Sequence, residues 1–274
     1  MRLERSPLSR RAVLAACCVA VGHPNPSWAD TSLTSFAEAV RASGDAGLSA
    51  WGKTYSNSCS WSSSPGDVSS EAPLPRWLEG RWRVSSKLDS VTFPMGRRVI
   101  SSTDAIPGKR MVSILPLPNI GAEPEFEVEY SDNVGALRGR NAASTLEAFW
   151  PSARVLDFSS PRVGELMLRY ESPTRSRTVV AQSVRLQLCS SQGGPTAADE
   201  DEWTVAEVFQ QDNIEQGTRG EFLTINVFRR EGPSKVKVRQ RVAAFLQPSD
   251  GAYLDAVGKP VALYDYTFRY SRIL

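Results

Sequence analysis

The sequence predicts an all-β protein, a single antiparallel calycin-like β-barrel of about 8–9 strands with one or two short helices. Three observations support this prediction. A proline-bounded turn at residues 74–76 leads into Gly80-Arg81-Trp82, where a strand with alternating apolar positions begins. Segments with the same alternation follow, separated by short connections. The last of them is rich in aromatic residues, which suits the wall of a small barrel plugged at one end by the Trp82 ring.

Residues 1–29 predict an export signal of the twin-arginine type. Arg10-Arg11 precedes an apolar stretch over residues 12–22 and then Ser27-Trp28-Ala29, a small-x-small cleavage site before Asp30. The apolar stretch is too short to span a bilayer. We therefore expect export, followed by a helix and a Ser/Pro-rich linker over residues 30–72 and a barrel domain over residues 73–274.

The composition excludes several kinds of chemistry. The chain carries 32 basic and 30 acidic residues, and its single histidine, His23, lies inside the predicted signal. Without residues 1–29 the counts are 28 and 29, so the charge gives no reason to expect a nucleic-acid partner. A mature chain without histidine cannot form a Ser-His-Asp or Cys-His centre or a histidine-ligated metal site. It also lacks a phosphate-binding loop, a dinucleotide fingerprint and a CxxC pair. We expect no cofactor, no metal and no assignable catalytic residue.

Two cysteines remain after export, Cys59 and Cys189. An even count in an exported protein permits one disulfide. Such a bond would tie the N-terminal segment to the barrel across a loop of about 130 residues, worth roughly 4–5 kcal/mol in the chain-entropy model. Two unrelated thiols are the equally weighted alternative.

The remaining elements follow in chain order. Apolar residues at near-helical spacing predict a helix over residues 31–43, and a Ser/Pro/Gly-rich stretch over residues 55–73 predicts a linker. A second short helix is predicted over residues 141–149, with Leu146 and Phe149 facing inward. Residues 190–202 are small, polar and acidic and predict an exposed loop. Strands are predicted over residues 82–88, 111–115, 126–130, 165–171, 178–189, 203–214, 220–230, 234–247 and 260–272.

Four blocks of the chain resemble a known family. They are residues 74–84, Phe93-Pro94-Met95-Gly96, Glu207-Val208-Phe209-Gln210-Gln211 and residues 258–266. They resemble an uncharacterised domain family of cyanobacteria and of plant and algal chloroplasts, over roughly residues 73–272. The resemblance implies a lipocalin-like barrel in the thylakoid lumen and transfers no catalytic residues. Because the predicted signal directs a single export step, a bacterial periplasm or thylakoid lumen is the alternative location.

The last strand is predicted to close the barrel against the first. Its even face carries Tyr264, Tyr266, Phe268, Tyr270 and Arg272. In lipocalins an arginine near the C-terminal end packs across the Gly-x-Trp ring. Arg272 has the end and the face required to lie over Trp82, with Gly80 allowing close backbone approach, whereas Arg269 has the wrong parity unless a bulge intervenes.

Carboxylates are the candidates for acid–base chemistry. Asp265 lies between two tyrosines in sequence, on the opposite face of the strand from them. Glu207 and Asp212 occur in the Glu-x-x-x-Gln-Asp stretch over residues 207–212. Isomerase-type catalysis would need two of them close together. We favour a structural role for Asp265, such as a pair with Arg241.

The strand over residues 234–247 presents Lys235, Lys237, Arg239 and Arg241 on one face. This stripe predicts a solvated outer face whose lysines discourage pairing with other chains. Steering toward an acidic partner or a membrane surface is the alternative.

Inward aromatic residues suggest what the barrel does. Trp82, Phe126, Tyr264, Tyr266 and Phe268 are the candidate ligand-binding residues, for a flat apolar molecule such as a lipid or pigment. An eight-stranded barrel can be hollow or filled. We expect a non-enzymatic lumenal protein that does not span the membrane and that binds an apolar ligand or serves as an accessory to photosynthetic complexes. The alternative is a calycin-type isomerase or a lipid- or pigment-modifying enzyme that uses a carboxylate and a tyrosine.

Overall fold

The computed structural model describes residues 60–61, 74–96, 99, 123–131, 134–160, 164–173, 175–190, 201–215, 217–248, 250–257 and 259–273. The predicted export signal, the helix over residues 31–43, the strand over residues 111–115 and most of the 190–202 loop lie outside these residues.

Ten strands and one α-helix make up the described chain. The strands are β1 Ser60–Trp61, β2 Gly80–Thr92, β3 Glu125–Tyr130, β4 Arg154–Ser159, β5 Glu165–Ser172, β6 Arg175–Ser190, β7 Glu202–Asn213, β8 Thr218–Gly232, β9 Lys235–Phe245 and β10 Ala262–Arg272. The helix α1, Val134–Phe149, lies between β3 and β4 in sequence. Short 3-10 helices occupy Arg76–Leu78 and Tyr253–Asp255. The all-β class is therefore confirmed.

All the described strands belong to one antiparallel sheet. Its order is β3-β2-β10-β9-β8-β7-β6-β5-β4, and β1 adds a short pairing to β6. The pairing of β10 with β2 joins the last strand to the first long one, as predicted. Within the described residues, however, β3 and β4 are edges that do not pair with each other, so the sheet is open. The prediction of a closed barrel differs from the observed sheet at this point.

The helix α1 explains why the two edges do not meet. It contacts both β3 and β4. The Asn141 amide accepts from the Glu129 N–H and donates to the Glu129 carbonyl, both at 2.9 Å, in the manner of a neighbouring strand. On the other side, the Glu147 carboxylate accepts from the Val155 N–H at 2.8 Å. Side chains of α1 therefore satisfy edge backbone groups that a closing strand would otherwise bind.

The sheet has an inner face that holds the main core. This face carries Trp82 and Val84 of β2, the even-numbered residues of β8, β9 and β10, and Phe126 and Val128 of β3. A second cluster, built from Leu146 of α1 with Leu168, Tyr170 and Val179, packs under the helix. Alternation along each strand thus directs the apolar side chains inward, as the period of two requires.

Three local features depart from the sequence prediction. Strand β1, Ser60–Trp61, lies within the stretch over residues 55–73 that was predicted to be a linker. The helix begins at Val134 rather than near residue 141. Gly139, within this helix, lies so close to the Phe158 ring that an added Cβ would collide with it. A glycine at this position lowers the helical signal while permitting the contact. Strand β4 was not predicted. Leu156 and Phe158 are exposed and a register shift interrupts the pairing after Val155, so the strand lacks clear alternation.

Candidate functional site

One end of the inner face is closed around Trp82. The Trp82 ring is fully buried, and the guanidinium carbon of Arg272 lies 4.3 Å from the ring centroid. The indole N–H donates to the Leu78 carbonyl at 2.8 Å. Arg272 donates to the carbonyls of Glu79 and Trp77, each at 2.8 Å. Arg272 therefore holds the 3-10 turn before β2 in place at the end of the sheet. The alternation of β10 predicted that Arg272, and not Arg269, would lie at this position.

Gly80 makes this closure possible. Its φ of 112° lies in the left-handed region that favours glycine. A Cβ at this position would lie 2.8 Å from the Arg272 guanidinium. Any other residue would meet both backbone strain and a collision with the arginine.

Aromatic rings fill the same end. We call this region the Trp82 end; it consists of Trp82, Tyr130, Trp203, Phe228 and Tyr270. Tyr270 has ring centroids of three members within 6.3 Å, and Trp203 and Phe228 lie 5.0 Å apart. The Tyr130 and Tyr270 hydroxyls share a 3.2 Å hydrogen bond. Burial raises the pKa of Tyr130 to about 12 and that of Tyr270 well above its usual value, so both remain neutral.

The five candidate ligand-binding residues all lie in the inner core cluster. Trp82, Phe126, Tyr264, Tyr266 and Phe268 are each at most 8% exposed. Phe126 packs on Phe149 of α1 and on Phe268, with centroid distances of 6.0 and 6.5 Å. The structure thus brings these residues together as packed core, and their role toward a ligand stays a prediction.

Polar residues cross the middle of this apolar face. We call this set the inner polar row; it consists of Ser86, Glu207, Thr224, Asn226 and Gln240. Gln240 donates to the Asn226 amide oxygen at 2.8 Å across the β8–β9 pair. Glu207 stands opposite Thr224 and therefore on the same face. Glu207, Asn226 and Gln240 are partly exposed, whereas Ser86 and Thr224 are buried.

Two members of the inner polar row lack partners. The amide oxygen of Gln240 and the hydroxyl of Ser86 are buried, and neither has a hydrogen-bond partner among the described residues. Next to Gln240 along this face stands Tyr266, its direct neighbour on β10. Burial raises the pKa of the nearby Tyr264 to about 12, which keeps its hydroxyl protonated. Buried polar groups in native proteins are nearly always paired, so these two atoms mark a place where a partner is expected.

The predicted carboxylates do not come together. Asp265 lies on the outer face and binds Arg241 through two hydrogen bonds of 2.6 and 2.8 Å, which confirms the predicted pair. Asp212 also lies outside and binds Arg219 at 2.7 and 3.0 Å. Glu207 alone of the three faces inward. A pair of acids for general acid–base catalysis is therefore not assembled from them.

The sequence reasoning missed Glu221. This carboxyl is only 8% exposed and accepts from the Gln210 amide at 3.1 Å on the outer face of β7 and β8. Burial raises its pKa, and the hydrogen bond from Gln210 only partly offsets that effect. Its burial could have been predicted from the sequence, because Glu221 directly precedes Phe222-Leu223, where both faces of the strand are apolar.

The predicted disulfide residues, Cys59 and the side chain of Cys189, lie outside what the structure describes. The pairing of β1 with β6 places Ser60 opposite Leu188 and Trp61 opposite Gln187. The residues next to the two cysteines are thus neighbours in the sheet, and the disulfide stays a prediction.

Comparison of the chain with protein-family models, with curated proteins and with solved structures finds no significant match. The resemblance to the thylakoid-luminal family therefore stays an expectation. Among the described residues, no group of three or more His, Cys, Asp or Glu side chains is placed to hold a metal ion. None of the described helices has the length and apolar character required to cross a bilayer.

Proposed function

We propose that the protein is a non-enzymatic binding protein for a small apolar molecule that carries a hydrogen-bond donor, such as a lipid or pigment with a hydroxyl group. On this proposal the inner face acts as a calycin-like container, although the sheet is open. The proposed location is the thylakoid lumen, where such a protein would serve as a carrier or as an accessory to photosynthetic complexes.

The unpartnered Gln240 oxygen, in the inner polar row of a mainly apolar face, is the observation that carries this proposal. Ligand sites of small molecules are mostly apolar, with a few polar groups that fix orientation. Gln240 offers an acceptor and Ser86 a hydroxyl, while Tyr264 and Tyr266 supply apolar rings whose hydroxyls stay neutral because burial raises their pKa values. A ligand hydroxyl facing Gln240 would satisfy the buried oxygen.

The enzyme alternative, an isomerase or a lipid- or pigment-modifying enzyme, has weaker support. It needs converging acids, and Glu207 is the one described carboxylate on the inner face of β2 and β7 to β10. Binding without turnover therefore fits the arrangement better.

Fluorescence titration tests the proposal. Lipids, carotenoids and tetrapyrroles are added to the purified protein, and quenching is followed at the tryptophans, two of which, Trp82 and Trp203, lie on the inner face. We expect saturable quenching by a hydroxyl-bearing ligand, with little pH dependence near neutrality because the tyrosines stay protonated.

The test variant is the double substitution Asn226→Leu/Gln240→Leu, which replaces the polar pair with apolar side chains. It should lose preference for the hydroxyl-bearing ligand over its hydrocarbon counterpart. If none of the ligand classes quenched the tryptophan fluorescence of the folded wild-type protein, the proposal would be refuted. Mass spectrometry of the recovered ligand separates binding from catalysis, since a chemically altered ligand would favour the enzyme.

A further inference from the structure

The outer face of the sheet carries a second, independent feature. Seven exposed cations from four adjacent strands gather there, and we call this set the basic face. Its members are Arg83 and Lys87 of β2, Arg229 of β8, Lys235, Lys237 and Arg239 of β9, and Arg269 of β10. The predicted stripe on β9 is therefore only one part of a larger surface.

The register sets three of these cations side by side. Lys237 of β9 stands directly opposite Arg269 of β10 and directly opposite Arg229 of β8. Like charges in directly opposed positions of a sheet are destabilising. The protein thus keeps an arrangement that costs stability.

Glu127 stands opposite Arg83 and Glu202 opposite Arg229 in the register, but within the described residues neither forms an ion pair with that cation. Asp265 is bound to Arg241, Glu127 to Arg81, and Asp89 accepts from Thr267. Within the described residues, Arg83, Lys87, Arg229, Lys235, Lys237 and Arg269 form no ion pair.

Protection of a sheet edge does not explain the cations. Lysines are used at edge strands to discourage pairing with other chains. Strands β2, β8, β9 and β10 each have a hydrogen-bonded neighbour on both sides. The solvated outer face predicted from the sequence is confirmed, since Lys235, Lys237 and Arg239 are exposed, but edge protection does not account for them.

We propose that the basic face docks the protein onto an anionic lipid surface. The four strands span about 14 Å, and the cations from Lys235 to Arg239 cover a similar length along β9. The side chains between them, Ser85, Thr267 and Ser271, are small and polar. A two-dimensional array of charges across four strands matches lipid headgroups, which attract each nearby Lys or Arg.

The chemistry of the face disfavours the other polyanions. A protein partner would need an apolar interface core, and single-stranded nucleic acid would need aromatic rings for stacking. The seven cations and the small polar residues between them supply neither.

Vesicle sedimentation tests the proposal. The protein is mixed with phosphatidylcholine vesicles with and without phosphatidylglycerol, at low and high salt. We expect binding only to the phosphatidylglycerol vesicles and its loss at high salt. Equal binding to both vesicle types, or no binding to either, overturns the proposal.

The decisive variant is Lys237→Glu. It places an acid between Arg229 and Arg269, so it should fold at least as well as the wild type while weakening vesicle binding about tenfold or more. Lys259→Glu is the matched control, because it makes the same charge change at an exposed site between β9 and β10 and should leave binding unchanged. Equal losses in both variants would reduce the effect to net charge and overturn the proposal. Tight binding of duplex DNA or polyglutamate that is sensitive to Lys237→Glu, without vesicle binding, would also overturn it.

Discussion

The Trp82 end and the inner polar row lie on the same face of one sheet and treat polar groups differently. At the Trp82 end the Trp82 indole and the Tyr130 and Tyr270 hydroxyls each have a protein partner. The adjoining Arg272 guanidinium is also paired, whereas the adjoining Trp77 indole is an exception. In the inner polar row the oxygens of Gln240 and Ser86 are buried without one.

This difference separates stability from function. Paired polar groups inside packed rings hold a fold together, whereas an unpaired buried group costs free energy. We expect an unpaired buried polar group that lowers stability to be retained because it binds a ligand. The Trp82 end is thus expected to determine stability, and the inner polar row is expected to determine what binds.

The largest expected effect is at the Trp82 end. Trp82→Ala removes a fully buried ring and the surface on which Arg272 packs, so it should lower the free energy of unfolding by about 3–5 kcal/mol. Denaturant unfolding measures this. Trp203→Ala, at a half-buried position of the same end, should cost less. A Trp82→Ala loss below about 1 kcal/mol would break the comparison.

A smaller effect is expected at Glu221, a buried polar group that has a partner but sits in an apolar setting. Burial raises its pKa, so ionisation opposes the folded state. Its favourable contribution is complete below the unfolded pKa of about 4.3 and is lost as the pH rises through the folded value. Glu221→Gln should therefore stabilise the protein at pH 7 and have little effect near pH 4. Thermal unfolding at both pH values measures it, and a destabilised variant at pH 7 would contradict it.

The smallest effect on stability is expected in the inner polar row. Asn226→Leu/Gln240→Leu removes both partners of one hydrogen bond and also the unpaired Gln240 oxygen, so unfolding should change by less than about 1 kcal/mol. Denaturant unfolding beside Trp82→Ala makes the comparison direct. If the double variant lost as much free energy of unfolding as Trp82→Ala, the inner polar row would serve stability rather than binding.

Much of the sheet could be predicted from single strands. Strand β9 alternates Val236 and Val238 with Lys235 and Lys237, and the burial follows that alternation. The parity of β10 placed Arg272 rather than Arg269 at the Trp82 ring. A period of two needs only local sequence, so these features were accessible.

The remaining features depend on contacts between distant strands. The sheet stays open because Asn141 and Glu147 of α1 bind the backbone of the edge strands β3 and β4. No local sequence pattern predicts these contacts between a helix and a strand edge. The inner polar row and the basic face both require the register between strands, which a single sequence does not supply. Glu221 was overlooked because its burial depends on neighbours from other segments.

The pairing of β10 with β2 has a consequence for biosynthesis. Apart from this pair and the short β1–β6 contact, neighbouring strands of the sheet are neighbours in sequence. Strand β2 has only β3 beside it until residues 262–272 have been synthesised, because Arg272 meets Trp82 at the very end of the strand. The meander from β4 to β9 can form during translation, whereas the indole–guanidinium contact must await synthesis of β10. The contact between Trp82 and Arg272 therefore forms only after all ten described strands have been synthesised.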